Sequence, residues 1–199
     1  MSALKDYEFK AWGEGKLICG IDEAGRGPLA GPCVVAGVVL EPHVNTDLID
    51  DSKVLSEKKR ILAYDLIMGI SKQVVVEIVD VETIDQHNIY RATQLAMEKI
   101  ASKVKGFYVL TDAMPLMNNE QHTSLIKGDH KSVSIASASI IAKVTRDRIM
   151  LNYDALYPEY GFKQHKGYPT KAHYEAIEKY GVLPIHRKSF KLYRQTTLF

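Results

Sequence analysis

Apolar residues along the chain recur with two different periods. In "KLICGID" (16–22), "CVVAGVVL" (33–40), "KQVVVEIVD" (72–80) and "GFYVLTD" (106–112) they form short, largely β-branched runs bounded by Gly, Pro or Asp, which predicts buried strands. Elsewhere they fall three and four apart. "SEKKRILAYDLIMGIS" (56–71) predicts a helix capped by Ser56, with Leu62, Leu66 and Gly69 along one face. "VETIDQHNIYRATQLAMEKIASKV" (81–104) is expected to contain a long helix whose inner side carries Ile89, Ala92, Leu95 or Ala96, and Ile100. "SASIIAKVTRDRIMLNYDAL" (137–156) would turn Ile140, Ile141, Val144 and Leu151 inward. "TKAHYEAIEKYG" (170–181) starts on a Thr170 cap and stops at Gly181. Strands alternating with helices imply an α/β layered domain. The first two strands have no helix between them and are expected to pair as an antiparallel, hairpin-like unit.

No internal repeat or low-complexity segment interrupts the pattern. We expect a single domain over 1–190, helical in its last part from about 150, and a flexible tail over 191–199, "KLYRQTTLF", which has neither cap nor core periodicity. With 199 residues, 46% hydrophobic and 25% charged, the chain can bury a core, and disorder over most of its length is excluded. Its two cysteines, Cys19 and Cys33, lie inside apolar runs; buried free thiols in a reducing, cytoplasmic compartment fit better than a disulfide framework. The polar N-terminus does not read as a secretory signal, and "PLAGPCVVAGVVL", the longest apolar run, is too short and too broken by Pro and Gly to span a membrane. A net charge of +2 neither requires nor excludes nucleic acid, because a local patch matters more than the total.

The candidate chemistry lies where strands end. Asp22 and Glu23 follow "LICGI", Asp112 follows "FYVLT", and Asp129 lies in "IKGDHKS" ahead of the 137–156 helix. The carboxyl ends of strands are where α/β sheets place ligands. If the first and fourth strands are neighbours, Asp22 and Asp112 lie side by side. Carboxylates that close repel one another unless a cation sits among them, and Mg²⁺ or Mn²⁺ accepts such hard oxygen ligands. Any one of these acids taken alone reads as a solvated strand end. "DEAGRG" (22–27) differs, because glycines on both sides of Arg26 open the backbone to a ligand, and backbone N–H groups with a guanidinium suit a phosphate. Acids for metal beside donors for phosphate suggest metal-assisted phosphoryl chemistry.

The segment "GIDEAGRGPLAGP" resembles the opening motif of the type 2 ribonucleases H. "DDSKVLSEKKR", "LIKGDHKSVSIASASIIAKVTRDRIM", "GFKQHKGYPTKAHYEAIEKYG" and "HRKSF" resemble later segments of that family in the same order, over roughly 17–190. One match is looser: "LTDAM" has Ala113 where many members have Gly. The resemblance implies a ribonuclease-H-like mixed sheet flanked by helices, with a helical C-terminal part. It also implies a site of four carboxylates, Asp22, Glu23, Asp112 and Asp129, around two divalent metals, Mg²⁺ or Mn²⁺. The reaction implied is hydrolysis of RNA in RNA/DNA hybrids and at ribonucleotides embedded in duplex DNA, leaving a 3′-hydroxyl and a 5′-phosphate. One metal would serve the attacking water and the other the leaving oxygen.

By the same resemblance, Gly25, Arg26 and Gly27 read the ribonucleotide through backbone contacts to its 2′-hydroxyl, the group that separates RNA from DNA. Tyr168 would pack on the sugar at the RNA–DNA junction; on the residues alone it is an ordinary half-buried loop tyrosine. Lys53, and Lys143 with Arg146 on the long helix, are expected to contact backbone phosphates, with Lys143, Arg146 and Met150 on the face opposite the apolar one. Asp147, between Arg146 and Arg148, reads as a surface ion-pair residue rather than a fourth ligand. The seven histidines show no zinc spacing, and neither a Ser-His-Asp set nor a P-loop is present. The terminal "QTTLF" is similar to the peptides by which bacterial replication and repair proteins dock on the sliding clamp, with Gln195, Leu198 and Phe199 as contacts. No membrane partner is expected, and a monomer is the default. Two other functions remain open on the residues: a nuclease of the same fold acting on DNA or junctions, and a non-catalytic nucleic-acid-binding protein.

Overall fold

The computed structural model describes residues 6–119 and 121–193. Helix α1 (Asp6–Gly13) precedes strands β1 (Ile18–Ala24) and β2 (Cys33–Leu40). Helix α2 (Glu57–Ile70), strand β3 (Ser71–Val79), helices α3 (Val81–His87) and α4 (Ile89–Lys103), and strands β4 (Tyr108–Asp112) and β5 (His122–Leu125) follow. Helix α5 (Val133–Leu156) leads into a C-terminal part with α6 (Phe162–His165) and α7 (Lys171–Tyr180). The five strands form one sheet in the order β3-β2-β1-β4-β5. β1 is antiparallel to β2 and β2 to β3, while β4 runs parallel to β1 and β5 to β4. The expected mixed sheet and antiparallel first pair are therefore present.

Alternation along β1 and β2 builds two cores. Cys19, Ile21, Cys33, Val35 and Val39 face α3 and α4, through Ile84, Met97 and Ile100. Val34, Ala36, Val38 and Leu40 face α2 and α5, through Ala63, Ile67, Ile140 and Ile141. β2 is thus buried on both faces, which is why it reads as one unbroken apolar run. Both cysteines are free and buried, and burial pushes the Cys19 thiol up to about 12 and the Cys33 thiol up to about 11.

Gly20 sets the spacing that matters most. A Cβ there would stand 2.1 Å from the backbone carbon of Ser134, so the first turn of α5 rests directly on β1, two residues before Asp22. The N-terminus of α5 is closed by the Ser132 cap, which accepts from the N–H of Ile135, and by Glu8 of α1. Glu8 is fully buried; its Oε1 accepts from Ser132 Oγ (2.5 Å) and from the N–H of Ser134 (3.0 Å). A carboxylate at this end complements the helix dipole.

Several expected faces differ. In α2 the buried residues are Ala63 and Ile67, while Leu62 is 50% exposed and Gly69 is also exposed, so the inner face lies one position further along. In α5, Leu151 is exposed and Met150 is buried, because the last turns of the helix leave the sheet and pack on the C-terminal part. The long helix expected within 81–104 is α4, and the short α3 precedes it. Asn88 adopts φ 60° and caps α4 through the N–H of Arg91, while Asp80 caps α3. Leu192 is buried in the C-terminal cluster, so the fold runs past the expected boundary at 190. Residues 195–199 lie outside the described residues.

The C-terminal cluster encloses a histidine pair. His173 Nε2 and His186 Nε2 are 3.1 Å apart, and His165 stacks on His173. His186 Nδ1 accepts from the N–H of Leu183 (2.9 Å), so its proton is on Nε2 and is donated to His173 Nε2. His173 is then protonated on Nδ1 and donates to the Tyr168 carbonyl (3.0 Å). Both rings must be neutral for this chain of bonds. Burial holds each down to about 4 from an ordinary 6.5. Below pH 6.5 the unfolded chain takes up protons that these rings refuse, so their contribution to stability falls as pH drops towards about 4. Thermal unfolding measured across that range should show a smaller acid loss in the His173→Gln/His186→Gln double variant than in the wild type; parallel curves would contradict the neutral pair.

Candidate active site

β1 and β4 are parallel neighbours in register Ile21 with Thr111, so the next residue of each strand is a carboxylate, Asp22 and Asp112. The 3-10 turn Gly128–His130 brings Asp129 to the same edge just before α5. Carboxylate oxygens of Asp22, Asp112 and Asp129 all lie within 4.8 Å of one another, with Asp22 and Asp129 buried and Asp112 half-buried. Each acid is held by a donor. The N–H of Glu23 donates to Asp22 Oδ1 (2.7 Å), that of Gly128 to Asp112 Oδ1 (2.7 Å), and Lys53 Nζ to Asp129 Oδ2 (3.2 Å). Ala113 takes φ 49° directly after Asp112, a backbone conformation that glycine adopts at less cost, at the position where the family resemblance is loosest.

Glu23 stands apart from this trio. Adjacent strand residues point to opposite faces, so Asp22 turns towards α5 and Glu23 towards the α3–α4 side. Its Oε1 is 3.6 Å from Arg26 Nη1, and its Oε2 is buried with no partner among the described residues. Burial first, then the Glu23 and Asp112 charges, push the Asp22 carboxyl well above the usual range. Burial also raises Glu23, against the Arg26 guanidinium, and raises Asp112, against the Gly128 N–H. The residues fit a hard divalent cation: every donor is a carboxylate oxygen, three converge, and a buried carboxylate oxygen beside them lacks a partner.

A second layer of residues frames the Gly-Arg-Gly loop. Gly25 takes φ 98°, and a Cβ there would meet Arg146 Nε at 2.1 Å. A Cβ on Gly27 would come 3.7 Å from the Tyr168 ring, so the loop and the tyrosine are side by side. Tyr168 is 41% exposed and its backbone is tied to His173. The expectation for Arg146 is corrected. It is 1% exposed, and its guanidinium is spent on the carbonyls of Pro32, Ala30 and Lys166, because that face of α5 packs under the 25–32 loop. Met150 is buried on the same face. Lys143 bonds Asp147 (2.7 Å), and Asp147 also lies 3.9 Å from Arg60, so its ion pairs are with these two and not with its chain neighbours. Two residues escaped the sequence reading. Asp51 is buried beside Asp129 and His130, in "DDSK", and Arg187, in "HRKSF", is fully buried beneath the loop.

Comparison with known proteins agrees with this arrangement. The family model described as ribonuclease HII matches residues 19–193. The chain belongs to the ribonuclease HII family. It is 50% identical over 194 residues to a ribonuclease HII of Clostridioides difficile, covering 96% of this chain and 76% of that one. Against a ribonuclease HII of Acholeplasma laidlawii it is 53% identical over 175 residues, covering 87% and 86%. Among solved structures it is similar to the ribonuclease HII in the PCNA complex from Archaeoglobus fulgidus, with TM-score 0.75 and 27% identity, covering 92% of this chain and 98% of that one. Ribonuclease H2 of Pyrococcus horikoshii gives TM-score 0.72 and 28% identity, covering 88% and 94%. The protein is an endoribonuclease of the ribonuclease H type with the expected ribonuclease-H-like fold. No helix among the described residues is long and apolar enough to cross a membrane.

Asp22→Asn removes a charge that burial and its neighbours disfavour. The metal-free variant should therefore melt higher than the wild type, while hydrolysis in Mg²⁺ falls by more than ~100-fold. Asp147→Asn should stay near wild type. Undiminished turnover in Asp22→Asn, or loss in Asp147→Asn equal to that in Asp129→Asn, would overturn the assignment.

Proposed function

We propose that this chain is a metal-dependent endonuclease that hydrolyses the RNA strand of RNA/DNA hybrids and cuts 5′ to ribonucleotides embedded in duplex DNA. The products would carry a 3′-hydroxyl and a 5′-phosphate. The observation that supports this reading is the convergence of three carboxylates within 4.8 Å, together with a glycine-flanked loop that packs against the Tyr168 ring. Asp22, Glu23, Asp112 and Asp129 would hold Mg²⁺ or Mn²⁺, two ions per site. Bound there, they would supply Lewis acidity and a nucleophile at neutral pH.

The chain's own residues set the geometry. Gly128 and Glu23 N–H groups fix the rotation of Asp112 and Asp22. Lys53, with its side chain 75% exposed, offers a cation to a phosphate at the rim of the acids. Arg26 and Gly27 are exposed, and Gly27 has no side chain to keep a sugar from the backbone. Tyr168 offers its ring beside Gly27. Lys143 lies further along α5, as a phosphate contact that would have to leave Asp147.

The same reading includes a cytoplasmic monomer of one domain with a role in DNA repair and replication. It also includes a sliding clamp as partner, through Gln195, Leu198 and Phe199; the relative from Archaeoglobus fulgidus is described in complex with PCNA. Docking of this kind raises the local concentration of the enzyme on DNA. Mapping of cleavage on a duplex with one ribonucleotide, in Mg²⁺ and in EDTA, tests the proposal. A single metal-dependent cut on the 5′ side of the ribonucleotide is expected, with an all-DNA duplex left intact. Equal cutting of both duplexes, or binding without cutting, would refute it. Removing 195–199 should leave cleavage of this short duplex unchanged and abolish clamp capture.

A further inference from the structure

The "HRKSF" segment has no role in the chemistry above, yet its first two residues are among the most deeply buried polar groups of the described chain. Arg187 is 0% exposed and His186 1%. Arg187 donates through Nη2 to the Gly25 carbonyl (2.7 Å), through Nη1 to the Arg26 carbonyl (3.0 Å), and through Nε and Nη2 to the Gly31 carbonyl (3.0 and 2.8 Å). Among the described residues no carboxylate forms an ion pair with it, nor with Arg146 beside it. Two buried guanidiniums compensated by carbonyls and by the Tyr168 and Phe190 rings, with no carboxylate, are a poor way to stabilise a core, where apolar side chains of like volume do as well or better. Burial and the Arg146 charge bring the Arg187 guanidinium down to about 10, so it remains a cation at neutral pH.

The bonds dictate how the loop is presented. In a trans peptide the carbonyl and the next N–H point in opposite directions, and no cis bond occurs among the described residues. With the Gly25 and Arg26 carbonyls turned in to Arg187, the N–H groups of Arg26 and Gly27 must turn out. Both residues are exposed, and neither N–H bonds another described residue. Two successive outward N–H groups are a donor site for a sugar or phosphate oxygen. Next to Arg187, His186 fixes Tyr168 through the bonds derived above: its Nε2–H holds His173, whose Nδ1–H holds the Tyr168 carbonyl. The segment is itself anchored. Arg187 N–H bonds the Leu29 carbonyl (2.8 Å), and Asp85 accepts from the N–H groups of Lys188 and Ser189 (both 2.9 Å).

We propose that Arg187 and His186 are positioning residues for ribose discrimination: one segment holds the Gly-Arg-Gly amides outward and Tyr168 beside them. The inference rests on the proposed reading of that loop and tyrosine as the ribonucleotide site. Arg187→Lys keeps the charge and loses the fork that reaches three carbonyls.

The test is steady-state cleavage of a duplex with one ribonucleotide, with an all-DNA duplex of the same sequence as competitive inhibitor. In Arg187→Lys, KM for the ribonucleotide duplex should rise about tenfold, as expected for a displaced hydrogen-bond site. Ki for all-DNA should stay constant and kcat should change far less. His186→Gln should lower the same Ki/KM ratio. A purely structural role would move KM and Ki together or lower the melting temperature with the ratio intact, and either result overturns the proposal. Should Arg187→Lys not fold, the ratio in His186→Gln decides. A wild-type enzyme with equal Ki and KM removes the ribonucleotide reading itself, and this inference with it.

Discussion

Three carboxylates within 4.8 Å of one another at a largely buried sheet edge are unfavourable without a cation, and much of this fold serves to keep them there. The parallel pairing of β1 with β4 supplies two of them in register. The third arrives on a turn whose Gly128 N–H is already committed to Asp112. Helix α5 begins immediately afterwards and can sit on β1 only because position 20 lacks a side chain. Glu8, on the first helix, then closes the N-terminus of α5 from the far side. The elements that support the acids are thus mutually braced, which suits a site that must hold repelling charges at fixed separation.

The Gly-Arg-Gly side of the site is built on a different principle. No strand carries the Gly-Arg-Gly loop. Its carbonyls are gripped from below by Arg187, while Arg146 holds those of Ala30 and Pro32 further along, so a segment with little side-chain bulk behaves as a firm surface. Arg146 also reaches the Lys166 carbonyl, two residues before Tyr168. Loop and tyrosine are therefore referenced to the same helix that carries Ser139 against Asp22, and α5 joins the loop to the carboxylates.

Much of this was legible in the residues. The four strands with β-branched runs and the helices with sharp caps, Ser56 and Thr170, lie where the pattern puts them. The acids at strand ends are brought together because chain direction and sheet order follow from the connections. What escaped has physical causes. β5, "HTSL", is short and polar and has no apolar period to detect. The short α3 ahead of α4 is set off by Asn88 at φ 60°, a choice asparagine tolerates without advertising it in the apolar pattern. Arg146 and Met150 belong to a face that is polar by composition yet buried, because a long helix meets the sheet with one half and the C-terminal part with the other. Arg187 is invisible for the same reason: a buried arginine bonded to carbonyls leaves no partner charge in the sequence to point at it.

Anomalous diffraction from crystals grown with Mn²⁺ examines the founding constraint without relying on turnover. The account requires manganese bound by Asp22 together with Asp112 and Asp129, within a few ångströms of the Glu23 carboxylate. Manganese held instead by Asp51, Asp129 and His130, with the Asp22 and Asp112 oxygens unligated, would contradict it.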